Sequence, residues 1–207
     1  TTCTIPTYEG KQAQESIISN CGATLIVDES FAVDPQVKFS GVDSAGSESA
    51  AREARFLFST SGTTGNPKGV LFSHRSTVLH AWAAVAKDTL GISAQDAVLP
   101  VVPMFHVNAW GIPYASAMAG AKLVFPGAGM DGASVYELLD QEEVSFTAGV
   151  PTVWLLLLQY LQESGNKLPH LERMVVGGAA LPPSIIEAFE NDYGCDCVHA
   201  WGMTEMS

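Results

Sequence analysis

Five short apolar runs, spaced by helical patterns, constrain this chain most. They read AVLPVV (97–102), AKLVFP (121–126), VSFTAGV (144–150), ERMVVGG (172–178) and CVHAW (197–201). Each is too short for a core helix and is rich in the branched residues that suit a strand. Between them lie helical patterns: about 133–142, a run opening at Pro151 and reaching about Glu163, and a run opening at Pro182 and Pro183 with Ile185, Ile186, Phe189 and Tyr193 on one side. Proline fits the first turn of a helix, where its missing N–H leaves no bond unmade. Strand–helix alternation predicts an α/β fold with mostly parallel sheets flanked by helices. Nearly continuous apolar strands fit a sheet covered on both faces.

Upstream, an amphipathic run from Lys11 to Asn20 precedes a strand-like ATLIVDE at 23–29, and RFLFS (55–59) forms another strand. A helix is expected over 73–90, capped by Ser73 and ended by Gly91, with Leu79, Trp82, Ala83, Ala86 and Leu90 forming its buried stripe. The stretch SGVDSAGSESAAR is poor in large side chains and reads as a surface linker. The expected organisation is an N-terminal α/β piece over 1–38, a Gly/Ser/Ala-rich linker over 39–54, and an α/β core over 55–207.

Composition excludes several function classes. A formal charge of −12 argues against a nucleic-acid groove, which needs a basic stripe. The run VWLLLLQYL at 153–161 is too short to span a bilayer and suits a buried helix, so no transmembrane segment is expected. The opening TTCTIPTYEG has neither a basic start nor a long apolar stretch, so no secretory signal is read there. Cys3, Cys21, Cys195 and Cys197 lack metal-ligand spacing, and free thiols in a cytoplasmic setting are expected.

The stretch STSGTTGNPKG at 59–69 departs from the common phosphate loop, because Gly62 and Gly65 are three apart and Pro67 precedes Lys68. Its chemistry still suits phosphate. Glycines let the backbone approach oxygens closely, and successive N–H groups form an anion nest. Ser61, Thr63 and Thr64 add hydroxyls, and Lys68 adds a point charge. A bare flexible linker is the alternative, and it seldom assembles these groups in this order.

TSGTTGNPKG followed by Ser73-His74, GGAALP at 177–182 and WGMTE at 201–205 together resemble, in order, the signatures of the adenylate-forming (AMP-binding) enzyme superfamily. The resemblance covers nearly the whole chain and is most similar to the medium- and long-chain fatty acyl-CoA synthetase branch. It implies a two-step reaction in which a carboxylate attacks the α-phosphate of Mg-ATP, and a thiol, commonly CoA, then displaces AMP. It further implies that Thr60, Ser61, Gly62, Thr63, Thr64, Gly65 and Lys68 cradle the β- and γ-phosphates. Glu205, joined by Thr60, would hold Mg²⁺. Thr204 would meet the α-phosphate. Gly178, Ala179 and Ala180 would lie along the nucleoside, Trp201 would stack on adenine where relatives carry Tyr, and His199, Ala200 and Gly202 would complete that side. Thr60, Lys68, His106 and Glu205 are the implied catalytic group.

PMFHVNAW at 103–110 resembles the acyl-pocket segment of this branch. His106 would face the acyl carboxylate, Val107 would line the pocket, and Trp110 would gate the acyl tunnel. TAGVPTVW at 147–154 matches the branch too, which makes Gly149, Val150 and Pro151 pocket walls. The pocket segment carries no acid to hold a substrate ammonium, which disfavours amino-acid substrates. The expected partners are a small carboxylic acid, ATP and CoA. A homodimer is also open, since some members are dimers. The resemblance implies that a ribose-binding aspartate and a small C-terminal domain with a catalytic lysine lie outside these residues, so that the chain alone turns over little. An aryl- or short-chain acyl-CoA ligase and a non-catalytic nucleotide-binding module remain the alternative readings.

Overall fold

The computed structural model describes residues 2–4, 55–60 and 68–206. The readings at 11–20, 23–29 and 39–54, and loop positions 61–67, lie outside the described residues. The chain divides into two compact units, Thr1–Val78 with Ser207, and Leu79–Met206.

In the first unit, β1 (Thr2–Thr4) runs parallel to β2 (Arg55–Thr60), and β2 pairs antiparallel with β3 (Lys68–Ser73). The register places Thr60 opposite Lys68. Both flanks of the Gly/Ser/Thr loop are therefore held in one two-stranded ladder. Helix α1 (His74–Val85) follows directly. Ser73 caps it reciprocally, since Ser76 N–H donates to Ser73 Oγ at 3.0 Å and Ser73 N–H to Ser76 Oγ at 3.2 Å.

The second unit is a five-stranded parallel sheet in the order β5-β4-β6-β7-β8, made of β4 (Ala97–Val101), β5 (Lys122–Leu123), β6 (Phe146–Gly149), β7 (Arg173–Val176) and β8 (Asp196–His199). One face carries α4 (Gly132–Gln141), α5 (Pro151–Ser164) and α6 (Pro183–Tyr193), joined by Leu99, Leu139, Trp154, Leu157, Met174 and Phe189 in one core. The other face carries α1 and α3 (Ile112–Ala119), where Ala81, Ala84, Ile112 and Ala115 meet Val98, Phe146 and Val175. Two covered faces explain why β4 and β6 are buried at every position. The edge strand β8 departs from this and is largely exposed.

Asp131 opens α4 by accepting the N–H groups of Ala133 and Ser134, each at 3.1 Å. The next residue, Gly132, sits so close to α5 that a Cβ built there would lie 2.2 Å from the Leu156 carbonyl oxygen. No helix among the described residues is long and apolar enough to cross a membrane.

The expected α1 stripe is corrected. The helix ends at Val85 rather than near residue 90, and Leu79 and Trp82 are 49% and 66% exposed. Its buried side is Ala81 and Ala84, one residue round from that stripe. Small residues face the sheet because α1 must pack closely, and amphipathic spacing alone does not reveal that requirement. β3 and α3, absent from the sequence reading, fill the gaps after the loop and before β5.

Asp96, 5% exposed, accepts Ser93 N–H and Oγ–H at Oδ2 (2.8 and 3.0 Å), and Ser145 Oγ–H and Arg173 Nη2–H at Oδ1 (2.8 and 2.7 Å). Arg173 Nη1 donates to the Leu90 and Gly91 carbonyls at 2.7 and 3.2 Å. Burial pushes the Asp96 carboxyl up, but the Ser93, Ser145 and Arg173 donors outweigh it and hold the pKa below 3.8. This network ties the amino ends of β4, β6 and β7 together.

Candidate functional site

The carboxyl ends of parallel strands are where α/β sheets place their ligands, because the chain leaves each strand there toward a helix N-terminus. The sequence-expected residues of the second unit fall at that edge. His106, Val107 and Trp110 follow β4, Gly149–Pro151 follow β6, Gly178–Ala180 follow β7, and Ala200–Glu205 follow β8, whose last residue is His199. Thr60 and Lys68 lie in the first unit at the two ends of the loop hairpin. Ser61, Gly62, Thr63, Thr64 and Gly65 lie outside the described residues.

Beyond β4, Val107–Trp110 (α2) form a single left-handed turn with φ of 50°, 51°, 50° and 57°, closed by Gly111 at φ 72°. Left-handed backbone costs an L-residue roughly 1–2 kcal/mol, so four in succession are strained. Gly111 N–H bonds the Val107 and Asn108 carbonyls at 3.2 and 3.1 Å, and Asn108 Nδ2 donates to the Tyr114 hydroxyl. The turn aims Trp110 at the GGAALP segment. A Cβ built on Gly177 would lie 2.8 Å from Trp110 Cη2, so only glycine leaves room for the indole. One residue on, a Gly178 Cβ would lie 3.3 Å from Val150 Cγ1. The PMFHVNAW, TAGVPTVW and GGAALP segments thus meet through Trp110, Val150 and the two glycines.

His106 is exposed, and partial desolvation lowers its pKa below 6.5. Its side chain is open to the edge of the sheet rather than enclosed in the core. Among the described residues, His199 Nε2 accepts the Leu181 N–H at 3.2 Å. It therefore joins the end of β8 to the GGAALP segment, with its ring proton on Nδ1. Ala200 N–H donates to the Val176 carbonyl at 2.8 Å, which carries the ladder up to Trp201. Trp201 is 79% exposed, with its ring face open, and Glu205 lies exposed on a short 3₁₀ turn, Thr204–Met206.

No group of three or more His, Cys, Asp or Glu side chains suited to a metal occurs among the described residues. A single outward carboxylate fits Mg²⁺, which keeps waters and binds through one or two carboxylates plus substrate phosphates. Cys195 is a buried free thiol raised in pKa by burial, and burial likewise pushes the Cys197 thiol up to about 11.

The sequence reading did not single out Gly177, Asn108 or His80 for the site. Gly177 stood inside the quoted GGAALP, but a close contact from residue 110 leaves no trace in spacing. His80 Nε2–H donates to the Trp110 carbonyl at 3.2 Å, and nothing local to His80 announces it.

Comparison with known proteins fits this layout. The chain matches the AMP-binding enzyme family over residues 5–207 and belongs to that family. It is 59% identical over 155 residues to a medium-chain-fatty-acid–CoA ligase of Ectopseudomonas oleovorans, covering 75% of this chain and 28% of that protein. It is 57% identical to a 3-methylmercaptopropionyl-CoA ligase of Ruegeria lacuscaerulensis, covering 74% and 29%, and 55% identical to a long-chain-fatty-acid–CoA ligase of Thermus thermophilus, covering 72% and 27%. The chain thus spans under a third of the length of these relatives. Among solved structures, the inhibitor-bound N-terminal domain of FACL13 from Mycobacterium tuberculosis aligns with a TM-score of 0.65 at 30% identity, over 74% of this chain and 38% of that one. O-succinylbenzoate coenzyme A synthetase from Bacillus subtilis, in complex with ATP and magnesium ion, aligns at 0.62 and 27% identity, over 72% and 30%.

Proposed function

We propose that this chain is part of an AMP-forming acyl-CoA ligase that activates an aliphatic carboxylic acid. The observation that carries the reading is the meeting of Trp110, Val150, Gly177 and Gly178 at the carboxyl edge of the sheet. It sets an apolar acyl wall against the segment assigned to the nucleoside. The relatives named above support both the ligase class and the aliphatic substrate.

In the first step a carboxylate oxygen attacks the α-phosphorus of ATP, and the bond to pyrophosphate breaks. The loop flanked by Thr60 and Lys68 steadies the leaving pyrophosphate. Thr204 meets the α-phosphate. His106 orients the carboxylate or offsets its negative charge. Trp201 offers its open face to adenine, with Gly178–Ala180 and His199–Gly202 around the nucleoside. Glu205, aided by Thr60, would hold a Mg²⁺ ion, which when bound neutralises phosphate charge. In the second step a CoA thiol attacks the acyl carbonyl and AMP departs. Val107, Trp110, Gly149, Val150 and Pro151 form the acyl pocket, with Trp110 as its gate. A cytoplasmic setting suits these substrates.

The test is pyrophosphate release by the full-length enzyme with acids from acetate to palmitate, 3-methylmercaptopropionate and benzoates. Highest turnover with a medium or long aliphatic acid is expected. The Ruegeria relative favours a second reading, a short thioether acid, which would place the maximum at 3-methylmercaptopropionate. A maximum with benzoates would overturn both. Replacing Glu205 by Gln should weaken the Mg²⁺ dependence, and an unchanged Mg²⁺ titration would remove Glu205 from the metal site.

A further inference from the structure

The left-handed turn Val107–Trp110 poses a physical question, namely what prevents four non-glycine residues from relaxing to ordinary backbone. Part of the answer comes from outside the turn. His80, on α1, lies thirty residues earlier in the chain. Its Nε2–H donates to the Trp110 carbonyl at 3.2 Å. The Cδ2–Nε2 edge of its ring also faces Gly111. A Cβ built on Gly111 would be 2.9 Å from His80 Cδ2 and 3.1 Å from Nε2. Gly111 is therefore required twice, for its φ of 72° and for the imidazole that occupies the space beside it.

We infer that His80 is a positioning residue for Trp110. By holding the carbonyl at the end of the turn and filling the space beside Gly111, it keeps residues 107–110 left-handed. The left-handed turn in turn keeps the indole over Gly177. Without the imidazole, the carbonyl loses its donor and the turn gains room to unwind. The indole then samples other orientations, and the acyl side of the site loses its wall. The nucleotide segments on β7 and β8 keep their own ladder bonds, Gly177 N–H to the Gly149 carbonyl and Ala200 N–H to the Val176 carbonyl. The effect should accordingly fall on the acid and not on ATP. This functional consequence rests on the ligase reading above, whereas the pinning of the turn does not.

The experiment compares His80→Ala and His80→Gln in the full-length enzyme, with two readouts. Amide hydrogen exchange over residues 107–111 reports the turn whatever the protein catalyses. Loss of one net hydrogen bond is worth about fivefold to tenfold, so His80→Ala should speed exchange there by about that factor. The KM for the carboxylic acid should rise by about the same factor while the KM for ATP stays within about twofold. His80→Gln, which can still donate from its terminal amide, should recover most of both effects. Unchanged exchange in a folded His80→Ala protein overturns the pin. A parallel rise in both KM values overturns its selective action on the acyl side. Failure of the unaltered full-length enzyme to make acyl-CoA would refute the ligase reading instead, and exchange alone would then decide on the pin.

Discussion

At the amino ends of β4, β6 and β7, Asp96, Ser145 and Arg173 close a network in which each partner is bonded and mostly buried. At the carboxyl ends of these strands and of β8 the backbone leaves through glycines and left-handed residues, and His106, His199, Trp201 and Glu205 stand exposed. The same sheet thus carries a satisfied end and a strained end. Four of the five non-glycine residues with positive φ among the described residues lie at this edge, Glu143 before β6 being the other, and such strain persists only where the rest of the domain over-determines it, as at binding sites. Stability and chemistry are therefore expected to respond to different substitutions.

The largest effect should come from breaking the satisfied end. Arg173→Ala leaves the Asp96 carboxylate buried without its cation and should cost about 3–5 kcal/mol in chemical denaturation. A loss below about 1 kcal/mol would mean that water replaces the guanidinium. Next is Gly177→Ala, whose Cβ meets the Trp110 ring at 2.8 Å. Overpacking there should cost about 1–3 kcal/mol if the indole stays. If the indole moves instead, stability holds and the acid KM rises. Measuring both quantities separates these cases, and no change in either would dissolve the Trp110–Gly177 contact.

A matched pair sharpens the contrast. Ala81 and Ala109 are both fully buried, but Ala81 lies in the regular helix α1 and Ala109 in the left-handed turn. Ala81→Gly should cost about 1.5–2 kcal/mol, the sum of a helix penalty and a lost buried methyl. Ala109→Gly loses a similar methyl but relieves left-handed strain of about 1–2 kcal/mol, so it should range from neutral to stabilising by about 1 kcal/mol. Equal costs at the two sites would remove the strain argument.

The smallest effect is a pH slope. Asp96 has a folded pKa below its ordinary 3.8, so its contribution is full above that value and is lost as pH falls through the lower folded value. Stability should decline below about pH 4, and Asp96→Asn should flatten that decline relative to the parent. An unchanged acid slope would show that Asp96 is not the group that titrates.

Much of this was legible in the sequence. The apolar runs and the prolines at 151 and 183 mark β4, β6, β7, α5 and α6 closely, because buried parallel strands and helix N-termini leave local chemical signatures. What stayed hidden depends on partners distant in sequence. Arg173 opens an apolar run, and nothing nearby discloses that its guanidinium reaches Asp96 and Leu90. The left-handed turn is spelled Val-Asn-Ala-Trp, without a glycine before position 111, so turn chemistry gives no warning. Spacing marks α1 but not its buried side, because alanines, not the large apolar residues, face the sheet.

Gly132 carries a consequence of another kind. Its Cα lies against the Leu156 carbonyl, where any added carbon would sit 2.2 Å from a backbone oxygen with no flexible tip to yield. Every codon one base away from a glycine codon that still encodes another amino acid supplies a Cβ. The position therefore has no tolerated neighbour in mutational space, and drift in this lineage must pass around it.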